Sequence, residues 1–188
     1  ATALMLSSAY VDAHDLTAGR PISTVALAGV EGVSTNHIFT IPDLKVNGLG
    51  IADIPTIAVK NWLSTSTIGN MGLPLIAQFD VVFDVTARCV WLRSPASGRT
   101  LPLLKDRSGL GLSVSVPELA VVHVARASPA AKAEWAIGDR IIAVNGMAVD
   151  EGYMHGSLWT WRYDPAGTRV KLKTSAGDTR ELELADYY

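Results

Sequence analysis

Short stretches of apolar and polar residues, broken at close intervals by turn formers, dominate residues 1–98. The runs Ser23–Ala28, Thr35–Ile41, Ile54–Val59, Phe79–Asp84 and Cys89–Arg93 are rich in β-branched or aromatic residues and are bounded by Gly, Pro, Asn or Asp. Such runs predict strands, because these side chains suit a pleated, half-buried surface and the bounding residues turn the chain. Asp80-Val-Val-Phe-Asp84 and Cys89-Val-Trp-Leu-Arg93, joined through Thr86-Ala87-Arg88, read as a hairpin. Ser7–Leu16 and Asn70–Gln78 are the helix candidates of this half, and Ala1-Thr2-Ala3-Leu4-Met5-Leu6 is apolar from the outset.

Ser94-Pro-Ala-Ser-Gly-Arg99 reads as a linker, and a second pattern begins at Gly109. This predicts two domains, 1–98 and 99–188. Gly109–Val114, Ala120–Val124 and Arg140–Val144 read as strands. Ser128-Pro-Ala-Ala-Lys132 has a serine at the N-cap and proline at the first helical position, which predicts a helix start. Gly138-Asp139 is a turn, and Asn145-Gly146 is the strongest hairpin signal in the chain. Asp150–Tyr163 is a helix candidate interrupted by two glycines. Arg169–Thr174 and Thr179–Leu184 alternate and are joined by Ala176-Gly177-Asp178 as a last hairpin. The fold class expected is mostly β, of α+β type.

Composition narrows the function classes. The 188 residues are 48% apolar, enough for a real core. The net charge is −2, with 5 basic and 7 acidic residues up to position 98 and 11 of each beyond it. No basic excess or stripe suggests a nucleic-acid partner. Cys89 is the single cysteine, which excludes an internal disulfide and a Cys-rich zinc site. His14, His123 and His155 lack ligand spacing, and His37 reads as a surface residue of a strand, so no metal or cofactor is expected. Trp159 and Trp161, two apart, would face different directions on a helix and are assigned to core packing. No apolar run approaches the ~18 residues of a membrane span. The chain starts without Met or a signal-peptide pattern and reads as a fragment or processed product.

Gly109-Leu-Gly-Leu112, Ala127-Ser-Pro-Ala-Ala131 and Gly138-Asp-Arg-Ile-Ile-Ala-Val-Asn-Gly146 together resemble the core of bacterial PDZ domains. Glu134-Trp135 departs from that family's Gly-Leu-like pair. The first of these motifs resembles a carboxylate-binding loop. Glycines let successive backbone N–H groups converge on an anion, and the strand after them can accept an extended peptide at its edge. The resemblance therefore implies a site for C-terminal peptides at Gly109, Leu110, Gly111, Leu112, Ser113 and Val114. Leu110 and Leu112 would line the terminal pocket and Arg107 would assist with the carboxylate. The alternative is a glycine turn with no ligand.

Residues 1–98 are similar to one lobe of a retropepsin-like aspartic protease. The similarity rests on Thr67-Ile-Gly69, the helix candidate after it, Phe79-Asp-Val-Val-Phe-Asp84 and Val90-Trp-Leu92. Val25-Ala-Leu-Ala-Gly29-Val-Glu-Gly32-Val33 stands where that family has its flap. The resemblance thus assigns substrate contact to Gly29, Val30, Glu31 and Gly32, at the tip of a mobile hairpin. No Asp-Thr-Gly or Asp-Ser-Gly occurs in the chain, so no catalytic residue is assigned. Two such carboxylates, one per lobe, share a proton across the attacking water in aspartic proteases. Ala1-Thr2-Ala3-Leu4 resembles the residues on the C-terminal side of that motif in the family, so the catalytic Asp is expected directly upstream of Ala1.

The combination implies part of an aspartic endopeptidase whose PDZ domain recruits protein or peptide substrates, in a periplasmic or secreted setting. This chain alone is expected to be inactive and to need a second lobe, from an upstream repeat or a second copy. A non-catalytic peptide-binding scaffold is the competing reading. A relative of PDZ-containing serine proteases is a weaker one. Gly69-Asn-Met-Gly-Leu-Pro-Leu75 resembles the nucleophile loop of those enzymes and Thr35-Asn-His37-Ile38 their histidine segment. Met71, however, has no nucleophilic hydroxyl, and 34 positions from His37 to Met71 are too few for two barrels.

Overall fold

The structure, a computed structural model, describes residues 2–29, 32–46, 48–95 and 101–188. The first half runs β1 (Leu4–Ser7), α1 (Ser8–Ala13), β2 (Ser23–Gly29), β3 (Gly32–Val46), β4 (Leu49–Val59), β5 (Gly69–Met71), α2 (Leu73–Ile76), β6 (Asp80–Asp84) and β7 (Cys89–Arg93). The second runs β8 (Leu110–Ser115), β9 (Glu118–Val124), α3 (Pro129–Lys132), β10 (Arg140–Val144), β11 (Met147–Ala148), a 3-10 helix (Leu158–Tyr163), β12 (Arg169–Thr174) and β13 (Thr179–Glu183). The chain is mostly β, as its alternation predicts. It divides into two compact units. Residues up to Pro21 group with His37–Leu104, and Ile22–Asn36 with Lys105–Tyr188. Of the linker stretch Ser94–Arg99, positions from 96 onward lie outside the described residues.

In the first unit the strand order is β3-β4-β1-β5. The short β1 is central: it runs parallel to β4, from Leu4↔Thr56 to Ser7↔Val59, and antiparallel to β5, with Leu6 opposite Gly69. Two glycines admit it. A Cβ on Gly69 would lie 2.4 Å from the Met5 carbonyl oxygen, and one on Gly72 only 1.9 Å from that of Thr2. Ser7 then ends the strand and caps α1, its hydroxyl accepting from the Tyr10 N–H at 3.1 Å. Val11, Phe39, Ile54 and Leu75 are buried at the centre of the core. The buried Gln78 amide is satisfied by Pro74 O, Leu101 O and the Leu101 N–H.

Several local expectations shift here. Ser7–Leu16 yields only the six-residue α1, and Asn70–Gln78 splits into β5 and the single turn α2. Pairing with β1 claims Asn70 and Met71 for a strand, and the extended Gly72 stops any helix from starting before Leu73. The runs at Thr35 and Ile54 lengthen into the long antiparallel pair β3–β4, in register from His37↔Ala58 to Val46↔Leu49. Strands β6 and β7 form the expected hairpin, Asp80↔Arg93 to Asp84↔Cys89, as a separate two-stranded sheet.

The second unit is built on an antiparallel sheet ordered β13-β12-β10-β9-β8, with β11 paired to β10. Asn145 and Gly146 both have positive φ, +50° and +82°, as a type I′ hairpin turn requires. Ser128 caps α3 by accepting from the Ala131 N–H. Leu119, Val121, Ile141, Val144, Val170, Leu172 and Leu182 line the core side of the sheet, joined by Trp135 and Trp161. Only the end of Asp150–Tyr163 is helical, and as a 3-10 turn. Gly152 and Gly156 leave the preceding stretch in turns. Trp161 is buried, donating to the Tyr153 hydroxyl at 3.2 Å, and Trp159 is half-buried against the same core.

Glu134, where the family resemblance expects glycine, sits at φ +57°. A Cβ in the left-handed region crowds the next carbonyl and costs roughly 1–2 kcal/mol. Among the described residues the exposed Glu134 side chain makes no compensating hydrogen bond or ion pair, while Trp135 beside it is buried, its indole N–H without a partner among them, with Arg180 over its ring at 4.8 Å. We expect Glu134→Gly to stabilise the chain by about 1 kcal/mol. Urea unfolding checks this, and an unchanged or lower midpoint contradicts it.

Candidate functional site

β8 is an edge strand. It pairs with β9 alone, Leu110↔Val124 and Gly111↔His123, then after a register shift Leu112↔Val121 through Ser115↔Glu118. Among the described residues no strand covers its other side. Such an edge presents backbone N–H and C=O groups to any extended segment. Ser113, Val114 and Ser115 are exposed, and Gly111 and Leu112 are half-buried. Leu112 packs on the same core as Leu158 and Trp159 of the 3-10 helix. Gly111 lies so close to β9 that a Cβ would meet that of His123 at 2.8 Å.

The loop entering β8 is held rigidly. Gly109 has φ +78°, and a Cβ there would fall 2.1 Å from the Ser128 side chain. Its carbonyl accepts from the Ala125 N–H at 2.8 Å. Ser108 is fully buried; its hydroxyl donates to Asp106 Oδ1 at 2.8 Å and accepts from the Leu110 N–H at 3.1 Å. The Ser108 N–H also donates to Asp106 Oδ1, at 3.0 Å.

Two of the expected ligand groups are therefore placed differently. Leu110 has no exposed surface; its side chain belongs to the core, so Leu112 alone of the pair can flank a pocket. Arg107 is occupied within the chain. Its Nε donates to Asp186 Oδ1 at 2.8 Å and its Nη1 to the carbonyls of Tyr163 and Asp164, while its backbone N–H holds Arg162 O at 2.9 Å.

Gly29 and Gly32 end β2 and begin β3, both exposed; Val30 and Glu31, assigned to the hairpin tip, lie outside the described residues. Sequence reading does not reveal where β2 belongs. It packs on β9 within the second unit. The Ser23 hydroxyl donates to Arg126 O, the Arg126 N–H to Thr24 Oγ1 at 3.1 Å, and Thr24 Oγ1 is hydrogen-bonded to His123 Nε2 at 3.1 Å. His123 is thus a buried structural residue, and His37 is exposed on β3. Asp15-Leu-Thr17 and Asp84-Val-Thr86, the two places where an Asp is followed two positions on by Thr, are local structure. Asp84 accepts from the Ala87 N–H in the hairpin turn, and Asp15 lies just past α1. Met71 packs on the first core. Among the described residues no group of three or more His, Cys, Asp or Glu could hold a metal, and no helix is long and apolar enough to cross a membrane.

No family model and no curated protein matches the sequence. Among solved structures the chain is similar to the HtrA-type protease AlgW with a decapeptide, at 11% identity and a TM-score of 0.35. The alignment covers 87% of this chain and 58% of that one, so the chain spans little more than half of that protein's length.

The chain's own end closes the network around the loop. The Ala185 N–H donates to Arg107 O at 3.1 Å, Asp186 pairs with Arg107 and Lys105, and the Tyr187 hydroxyl donates to Asp106 Oδ2 at 3.2 Å. Tyr188 is buried with Lys105 Nζ over its ring at 4.9 Å. Burial first, and then the Asp106 carboxylate, push both phenols above their ordinary value. A phenol whose folded pKa is raised stabilises the fold below its unfolded pKa, about 10, and that contribution is lost as the pH climbs above it. Unfolding by urea should therefore become easier between about pH 9.5 and 11, and Tyr187→Phe should flatten the decline. Equal pH slopes for the two proteins would contradict this.

Proposed function

We propose that the chain is a substrate-recruiting part of an aspartic-type endopeptidase, with residues 1–98 a retropepsin-like lobe and 99–188 a PDZ-like domain. The observation that carries the recruiting role is the open edge of β8, entered through a rigid glycine loop and bordered by the half-buried Leu112. An extended protein segment can add to that edge as a further strand, its backbone giving affinity and Leu112 favouring apolar side chains. The lobe assignment draws support from β1 lodged between β4 and β5, and from the closing hairpin β6–β7. That hairpin leaves Val82, Phe83, Val90 and Trp91 exposed, Phe83 at 67% and Trp91 at 65%. A two-stranded sheet of this kind is barely stable in water alone. Its apolar surface suits the second lobe that an aspartic mechanism requires.

Without an Asp-Thr/Ser-Gly loop in the 188 residues, no general base activates water here. The purified 188-residue polypeptide should show no pepstatin-sensitive cleavage of a denatured protein substrate; such cleavage in a sample free of longer forms would sink this reading. The second reading is a peptide-binding scaffold without catalysis, which the open β8 edge serves equally well.

Recruitment is tested by hydrogen exchange. An unstructured peptide with alternating apolar residues should slow exchange of amides in 111–115 and leave β13, the opposite edge, unchanged. Protection at β13, or at neither edge, would remove the assignment of β8 as the docking strand.

A further inference from the structure

A PDZ-type loop is expected to grip a terminal carboxylate with its converging N–H groups and a nearby cation. The hydrogen bonds here are arranged otherwise. The Leu110 N–H, first of the loop, is buried and already donates to Ser108 Oγ. Ser108 cannot turn away freely, because its hydroxyl donates to Asp106 and its carbonyl accepts from the Ala130 N–H at 2.9 Å. The first N–H of the loop is thus already taken by a built-in hydroxyl and is not free to hold a ligand's carboxylate oxygen.

Three of the four cations near the loop, Arg107, Arg162 and Lys105, are engaged as well. Arg107 is held by Asp186 and two carbonyls. Arg162 donates to Leu110 O at 3.3 Å and to the Tyr163 hydroxyl at 2.9 Å. Lys105 lies 3.8 Å from Asp186 and against the Tyr188 ring. Arg126, two residues past the register partner of Leu110, makes no side-chain hydrogen bond to the loop among the described residues; only its backbone is anchored, by Ser23 and Thr24. Asp106 adds an anion hydrogen-bonded into the loop itself, and a second carboxylate brought beside it would be repelled.

We infer that the β8 edge takes internal segments of extended polypeptide and does not select a free C-terminal carboxylate. Backbone pairing along residues 111–115 asks nothing of the ligand's end, so a segment running on past the loop satisfies the edge as well as a terminus does. The ligand class is therefore exposed, extended stretches within proteins, as unfolded or loop regions offer. This rests on the docking role proposed above for β8.

The test uses the full 188-residue chain and three fluorescent peptides of one sequence: a free acid, its amide, and the same sequence embedded between flexible flanks. All three should bind within about twofold of one another, since no carboxylate-specific contact distinguishes them. Ser108→Ala releases the Leu110 N–H, and Asp106→Asn removes the anion. Each should make the free acid bind at least fivefold more tightly than the amide. The two changes act on different atoms, so a loop that fails to fold in one variant leaves the other to report. Tenfold preference of the native chain for the free acid would overturn the inference while leaving β8 as the docking strand. Binding of none of the three peptides would overturn both.

Discussion

Close backbone approach at a few glycines is the constraint on which both units depend. In the first, Gly69 and Gly72 let β1 lie against the later chain that crosses it, with no room for a Cβ at either position. In the second, Gly109 admits the Ser128 side chain and Gly111 admits His123. The effect is the same each time: a strand is held by neighbours nearer than side chains would allow. Dense packing of that kind fixes register and leaves little slack. It also explains why β8 enters its edge position through a rigid loop, although among the described residues no strand pairs with its outer side.

That rigidity brings polar groups inside, and the network around Asp106 answers them. Ser108 is buried, and a buried hydroxyl or N–H without a partner costs about 1–3 kcal/mol. One carboxylate takes the Ser108 N–H and hydroxyl on Oδ1 and the Tyr187 hydroxyl on Oδ2. Arg162, half-buried nearby, has its charge opposed by burial but favoured by Asp106 and Tyr163, and the net effect holds its pKa above the ordinary value. Residues nearly eighty positions apart therefore close one local structure, with the sheet bringing 185–187 back beside 105–107.

Local chemistry was legible in the sequence, and long-range consequence was not. Asn145-Gly146 and Ser128-Pro129 announced a hairpin turn and a helix start, since each depends on its own few residues. Leu4–Ser7 did not announce a central strand, because four residues become one only when β4 and β5 flank them. The Asp150–Tyr163 pattern suggested a helix somewhere within it, weakened by two glycines, and the structure has a 3-10 helix at Leu158–Tyr163. The Gly109-Leu-Gly-Leu112 motif marked the loop, but a motif does not show that Ser108 occupies its first N–H or that Asp186 holds Arg107. Thr24 and His123, almost a hundred positions apart, carried no signal by which their hydrogen bond could be anticipated.

The two edges of the second sheet differ in a way that bears on use. β13, Thr179-Arg180-Glu181-Leu182-Glu183, is dense in charge, and its neighbour β12 adds ion pairs of Arg169 with Glu181 and Glu183. Charged side chains along an edge discourage another strand, because pairing would strip water from them. β8, Leu110-Gly-Leu-Ser-Val-Ser115, has no charge at all over six residues. Its small and apolar side chains leave the backbone approachable and a strand's desolvation inexpensive. A sheet that merely had to remain monomeric would gain from guarding both ends. The asymmetry, charge at one edge and none at the other, makes β8 the edge where pairing with a further strand would strip less water from charged groups.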